Sequence, residues 1–186
     1  MKKQEEMAKI YSFSTFNKNV DRNLSTSLET LTNQKPIVVL CVGSDIVMGD
    51  SLGPLVGTNL VKKNVNAHVY GTLDFPITAK EVECAKDYLK KFHPNSQVLA
   101  IDAAVGNFED VGAIRVINKG IKPGLGVNKN LKTVGDISII GVVAPKEKDS
   151  YKLLSLTRLN LIYKMAEQIS DGIALFLGEK AKTLAV

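Results

Sequence analysis

The chain has 186 residues, 45% hydrophobic and 23% charged, a balance that fits one globular domain with a sizeable core and excludes extended disorder over most of its length. Its formal net charge of +5 permits an acidic partner without demanding one; the lysines are dispersed and no recognition motif occurs, so direct nucleic-acid binding finds no support. Cys41 and Cys84 cannot build a disulfide framework or a CxxC metal pair, no run is long enough to cross a bilayer, and the first 13 residues lack the apolar centre of a signal peptide. A soluble, cytoplasmic protein is expected.

Residues 1–18 are polar and aperiodic and are expected to form a poorly ordered arm, with a single α/β domain over 19–186. Asp21 to Leu31 carries Leu24, Leu28 and Leu31 at helical spacing. Ile37 to Val42 is an uninterrupted, β-branched apolar run, the pattern of a strand buried on both faces. It breaks at Gly43 into a polar turn holding Asp45, Gly49, Asp50 and Ser51. Asp50 and Ser51 stand where a helix takes its N-cap, and Leu52, Leu55, Val56 and Leu60 supply the inward face of a helix running to about Lys63.

Ala67 to Gly71 reads as a second, short strand. Thr78 with Glu81 three residues on predicts a capping box for a helix to about Phe92, which His93-Pro94-Asn95 ends. Gln97 to Ile101 is a third buried strand, cut off by Asp102. That alternation predicts a parallel sheet with right-handed crossovers. Gly112 to Asn118 reads as a further strand, Gly120 to Gly135 as a long functional loop, and Ile137 to Val143 as another apolar strand. From Ser150 to Leu177 the spacing of Leu159, Ile162, Met165 or Ala166, Ile169, Ile173 and Phe176 predicts one long amphipathic helix. Leu153, Leu156 and Leu161 lie off its main stripe and leave apolar surface for a homodimer. The fold class is α/β, a three-layer αβα sandwich with a largely parallel sheet.

Asp50, Asp74 and Asp102 follow the first, second and third strands, so a parallel sheet should bring them together at its carboxyl edge, where open α/β folds place their chemistry. Carboxylates in contact cannot all ionise at their ordinary pKa, so one can hold a proton as general acid while another activates water. The same cluster can instead hold a divalent metal through oxygen. Taken singly, Asp50 is explained as a helix cap, Asp102 as a turn former, and Asp74, ahead of Phe75-Pro76, as structural. The loop GIKPGLGVNKN (Gly120 to Asn130) offers backbone N–H groups at Gly124 and Gly126 that can cradle an anion or polarise a carbonyl; it is neither a P-loop nor a dinucleotide fingerprint, and a surface hairpin explains it equally well. His68 and His93 lie towards the opposite end of the sheet, where neither a catalytic nor a ligand role is expected, and both cysteines read as core fillers. Ser51 lacks the flanks of a nucleophile elbow.

Three blocks, GDSLGPLVGTNL (Gly49 to Leu60), AIDAAVG (Ala100 to Gly106) and GIKPGLGVNKN, stand in the order found in the spore germination protease family. The core from about Gln34 to Phe176 more closely resembles the short YyaC-type sporulation proteins, and the wider fold is similar to the hydrogenase maturation endopeptidases, whose turn after the first strand is echoed by Gly43 and Gly49 to Gly53. The germination protease resemblance implies a hydrolase-type fold and an endopeptidase of the forespore or mother cell acting on small, acid-soluble spore proteins with two aspartates, no obligatory metal and no cofactor. Those aspartates fall on Asp50 and Asp102; Asp74, Gly124, Gly126 and Asn128 are assigned to substrate binding. This sequence departs from that family in being shorter and in having Val143-Ala144-Pro145-Lys146 where the protease carries a PT-containing segment, and no long propeptide is expected. No histidine follows His93, so the nickel-ligating histidine of the maturation endopeptidases has no counterpart. A scaffold that keeps the peptidase fold and binds spore proteins without cutting them is the rival expectation.

Overall fold

The computed structural model describes residues 8–122 and 133–184. In chain order the elements are β1 (Ile10–Ser14), α1 (Val20–Leu31), β2 (Ile37–Cys41), α2 (Leu52–Lys62), β3 (His68–Tyr70), α3 (Val82–Phe92), β4 (Gln97–Gly106), β5 (Ala113–Ile117), β6 (Ile137–Pro145), α4 (Ser150–Ser155) and α5 (Leu159–Leu184). Short 3-10 turns at Met48–Ser51 and Phe108–Asp110 follow β2 and β4.

The six strands form one sheet in the order β1-β5-β6-β4-β2-β3. Its centre is parallel, with β4 between β2 and β6 and β3 on the edge. β5 runs antiparallel to β6, and β1 antiparallel to β5. The sheet is therefore largely parallel, as the alternation of apolar runs and amphipathic helices requires. Every residue of β2 is buried, since both faces of that strand are covered.

The two covering layers are unequal. Ile37, Val39, Cys41, Leu99, Ile101, Ile137 and Ile139 point to one face and meet Leu24 and Leu28 of α1, Leu52, Val56 and Leu60 of α2, and the buried stripe of α5. That stripe is Ile162, Met165, Ala166, Ile169, Ile173 and Phe176, the set expected from the 3.6-residue spacing. On the other face Val38, Leu40, Val42 and Ala100 are covered mainly by Val82 and Leu89 of α3 together with Ile121 and Val134. Among the described residues no helix is long and apolar enough to cross a membrane.

Four expectations change. Residues 10–14 are not an arm but an edge strand: Tyr11 and Phe13 alternate onto the core while Ile10 and Ser12 face out, a pattern too short to stand out among polar neighbours. Gln168 of α5 fastens this strand in place, its Nε2 donating to the Thr15 carbonyl (3.1 Å) while the Thr15 hydroxyl donates to its Oε1 (2.5 Å). β4 does not stop at Asp102 but runs to Gly106, because β6 continues to pair with it as far as Gly106 opposite Pro145. The terminal helix is two: α4 ends at Ser155, capped by the Leu156 N–H on the Lys152 and Leu153 carbonyls, so α4 can turn its Leu154 onto Gly49 while α5 covers the sheet. Of the off-stripe leucines, Leu153 and Leu161 pack on the core, and Leu156 stays exposed. Finally, Cys41 is a buried core residue but Cys84 is exposed, since α3 buries only Val82 and Leu89.

The expected capping box is only half made and does not cap α3, since the Glu81 N–H goes to the Thr78 carbonyl and no side chain caps the helix. Glu81 accepts from the Thr78 backbone N–H (3.0 Å) and from the Thr78 hydroxyl, while α3 itself begins at Val82. Replacing Gln168 by Ala removes both bonds to Thr15. A loss of about 1–3 kcal/mol in urea unfolding is expected, with faster amide exchange confined first to residues 10–14.

Candidate active site

Asp50 reaches its place through backbone packed on backbone. After β2 the chain turns at Gly43, whose φ of +146° lies in the region that only glycine enters freely. A Cβ there would stand 2.0 Å from the Asp50 carbonyl oxygen, and one on Gly53 would stand 2.0 Å from the Val42 carbonyl oxygen. The Met48–Ser51 turn and the first turn of α2 thus lie directly on the end of β2. Hydrogen bonds from the Ser44 N–H to the Asp50 carbonyl (3.1 Å) and from the Asp50 N–H to the Val47 carbonyl (2.9 Å) close the loop.

The cap that would explain Asp50 by itself is not made. No side chain caps α2, and the Ser51 hydroxyl donates instead to the Met48 carbonyl at 2.6 Å. The carboxyl of Asp50 is therefore available for other work.

Asp102 comes from β4, one residue past the last pairing with β2 at Cys41 and Ile101. The neighbouring Leu99 and Ile101 face α2 and α5, so the alternation of the strand turns Asp102 to the other face, on the same side as Ala100. Beyond that point β2 has already turned away at Gly43, leaving Asp102 held by β6 on one side, opposite Ile140. Its Oδ1 accepts the Ala103 N–H at 2.9 Å.

Both carboxyls are half-buried. Burial pushes Asp50 above the ordinary carboxylate range, with the Ser44 amide pulling partly against it. Asp102 is pushed well above that range, first because protein atoms crowd it and remove water, then because the charge of Asp50 is close enough to act on it; the Ala103 amide opposes both. Two adjacent carboxyls raised to different degrees will carry one proton between them over a range of pH, with Asp102 its principal holder.

The third carboxylate is not part of this pair. β3 is only three residues long, and Gly71 (φ +86°) turns the chain off the sheet. The loop returns at Ile77 to bridge Val42, leaving Asp74 exposed at its outer tip. The convergence of three aspartates expected from the strand ends is thus corrected to two. Among the described residues no group of three or more His, Cys, Asp and Glu side chains stands close enough to hold a metal ion. Gly124, Gly126 and Asn128 lie outside the described residues. The amides of Ser44 and Ala103, which oppose the upward shifts, leave no trace in the sequence, since the turn and strand geometry alone brings them to the carboxyls.

The mostly parallel sheet with helices on both faces is a fold that a solved structure shares. The chain superposes on the crystal structure of a [NiFe] hydrogenase maturation protease HycI from Thermococcus kodakarensis KOD1 with a TM-score of 0.52 at 18% identity, over 82% of this chain and 99% of that one. The fold is of the maturation-protease type. The chain belongs to the family described as "Protein of unknown function (DUF1256)", whose model matches residues 9–172. It is 41% identical over 159 residues to the "Uncharacterized protein YyaC" of Bacillus subtilis (strain 168), covering 85% of this chain and 77% of that one.

The raised carboxyls link stability to pH. A carboxyl whose folded pKa lies above its unfolded one favours the fold at acid pH and loses that contribution as pH rises through the folded value. Asp102→Asn keeps the acceptor for Ala103 and removes the crowded charge. Its melting temperature should exceed that of the parent by about 2–4 °C at pH 7.5, the shift about 1 kcal/mol produces in a chain of this size, and the gap should close towards pH 4 in calorimetry.

Proposed function

We propose that this protein is an endopeptidase in which Asp50 and Asp102 activate water against a peptide carbonyl. The observation that carries the reading is the pairing of two half-buried, upward-shifted carboxyls at the carboxyl edge of a parallel sheet. The likeness to a maturation protease fold supports it at the level of the fold alone. Asp102, the more strongly raised, keeps its proton and acts as the acid; Asp50 is the base.

In the first step Asp50 takes a proton from water as the oxygen attacks the carbonyl carbon, and Asp102 gives its proton to the carbonyl oxygen. A neutral gem-diol forms, and the proton has moved from Asp102 to Asp50. In the second step Asp50 protonates the amide nitrogen, the C–N bond breaks, and a hydroxyl of the diol returns its proton to Asp102. The pair ends as it began. Asp74 and the Gly124, Gly126 and Asn128 loop are assigned to the substrate, which we take to be small acid-soluble proteins of a sporulating bacterium, on the resemblance to the germination protease family.

One observation favours a second reading. The Ala103 amide already occupies Asp102 Oδ1, as expected of a carboxyl kept for structure, and a protein that binds spore proteins without cutting them would need no more.

Mass-spectrometric analysis of small acid-soluble spore proteins and a mixed peptide library, incubated from pH 5 to 8 with and without chelator, separates the two. The endopeptidase gives defined products that survive chelator. Asp50→Asn and Asp102→Asn should each lower the rate by about 100-fold or more. Activity should fall towards acid as Asp50 gains a proton and towards alkali as Asp102 loses its own. Wild-type rates in both variants would overturn the pair. Absence of products together with tight binding that Asp50→Asn retains would establish the scaffold.

A further inference from the structure

The sequence holds two histidines, and the fold brings them into contact. His68 opens β3 and His93 follows the last turn of α3, yet their ring centres are 4.7 Å apart and inclined at 47°. The site lies at the amino end of the parallel strands, where His68 pairs with Val38, away from the aspartates.

Three details make the pair a candidate ligand set. His93 Nε2 is held by the Tyr70 hydroxyl at 2.7 Å, which orients the ring and leaves Nδ1 for another partner. Among the described residues neither His93 Nδ1 nor either nitrogen of His68 makes a hydrogen bond or ion pair. The spacing also suits a shared ion. With metal–nitrogen bonds of about 2.0–2.1 Å and a ring centre about 1.1 Å behind each nitrogen, ligand angles of about 90–110° separate two ring centres by about 4.5–5.2 Å.

We propose that His68 and His93 bind a divalent late first-row ion such as Zn²⁺ or Cu²⁺, clamping the edge strand β3 to the end of α3. Imidazole donors suit these ions, whereas Mg²⁺ and Ca²⁺ prefer carboxylate and carbonyl oxygen. Two protein ligands leave open positions for water or an anion. His93 also lines an open cavity of about 320 Å³ together with Lys86, Lys90 and Asp136, which leaves room for water at the open positions. The clamp would fasten a strand of only three residues that pairs on one side with β2.

The test uses the tag-free full chain, so that no added histidines compete. ZnCl₂, CuSO₄ and MgCl₂ are titrated in a thermal melt and by calorimetry. Expected are one Zn²⁺ or Cu²⁺ per chain, a rise in melting temperature of about 5 °C or more at a hundredfold excess over Kd, and no response to Mg²⁺. The rise should vanish in His68→Asn, an exposed position that leaves the Tyr70 to His93 bond in place, and in His93→Gln. It should persist in Asp50→Asn, which separates this site from the carboxyl pair. Electron paramagnetic resonance of the Cu²⁺ form should report two coordinating nitrogens. No rise with either ion, a rise that survives His68→Asn, or one lost in Asp50→Asn would overturn the proposal.

Discussion

The arrangement depends on how closely the Met48–Ser51 turn and α2 approach the end of β2. At Gly53 and Gly43 a methyl group would fall 2.0 Å from a carbonyl oxygen of the strand or the turn, so the approach exists only because both positions lack a side chain. The same closeness sets Leu52, Val56 and Leu60 of α2 into the larger core and lifts Asp50 to where its charge acts on Asp102. Fold and candidate chemistry thus share one constraint. Relaxing it by an ångström would loosen the packing of α2 and let water between the carboxyls, returning both towards ordinary acidity.

The buried pair has an energetic sign that packing alone does not. A carboxyl crowded by protein and facing another negative charge disfavours the fold once ionised, and the Ala103 amide offsets only part of that. Such strain marks functional sites more often than structural ones, although ion networks produce it too. Here it falls on Asp50, in the turn that follows β2, and on Asp102, within β4 just past its last pairing with β2.

Much of this was legible in the chain. The apolar runs at β2, β4 and β6 and the 3.6-residue stripe of α5 report burial directly, because covering both faces of a strand or one face of a helix leaves a periodic trace. Asp102 could be placed because it directly follows such a run and inherits its address in the sheet, and Asp50 because it stands at the start of the helix that follows β2. Asp74 could not be placed, since β3 is three residues long and the path of the chain beyond it depends on the turn at Gly71 rather than on strand direction. β1 leaves no trace for a similar reason: two inward residues make no pattern, and its position comes from β5 and from Gln168, both far along the chain. Strand direction puts His68 and His93 at the same end of the sheet, but their ring contact leaves no periodic trace, because it depends on where the end of α3 meets β3.

The fastening of β1 by Gln168 also has a temporal side. Its partners are 153 positions apart in the chain, so at a synthesis rate of about 5–20 residues per second they are made about 8–30 s apart. β5, the strand that β1 pairs with, comes earlier but is itself added to the sheet through β6. The first strand to emerge is therefore among the last to be secured. For that interval its Tyr11 and Phe13 face water, and the growing chain carries an open β edge that other chains can reach before its own final helix does.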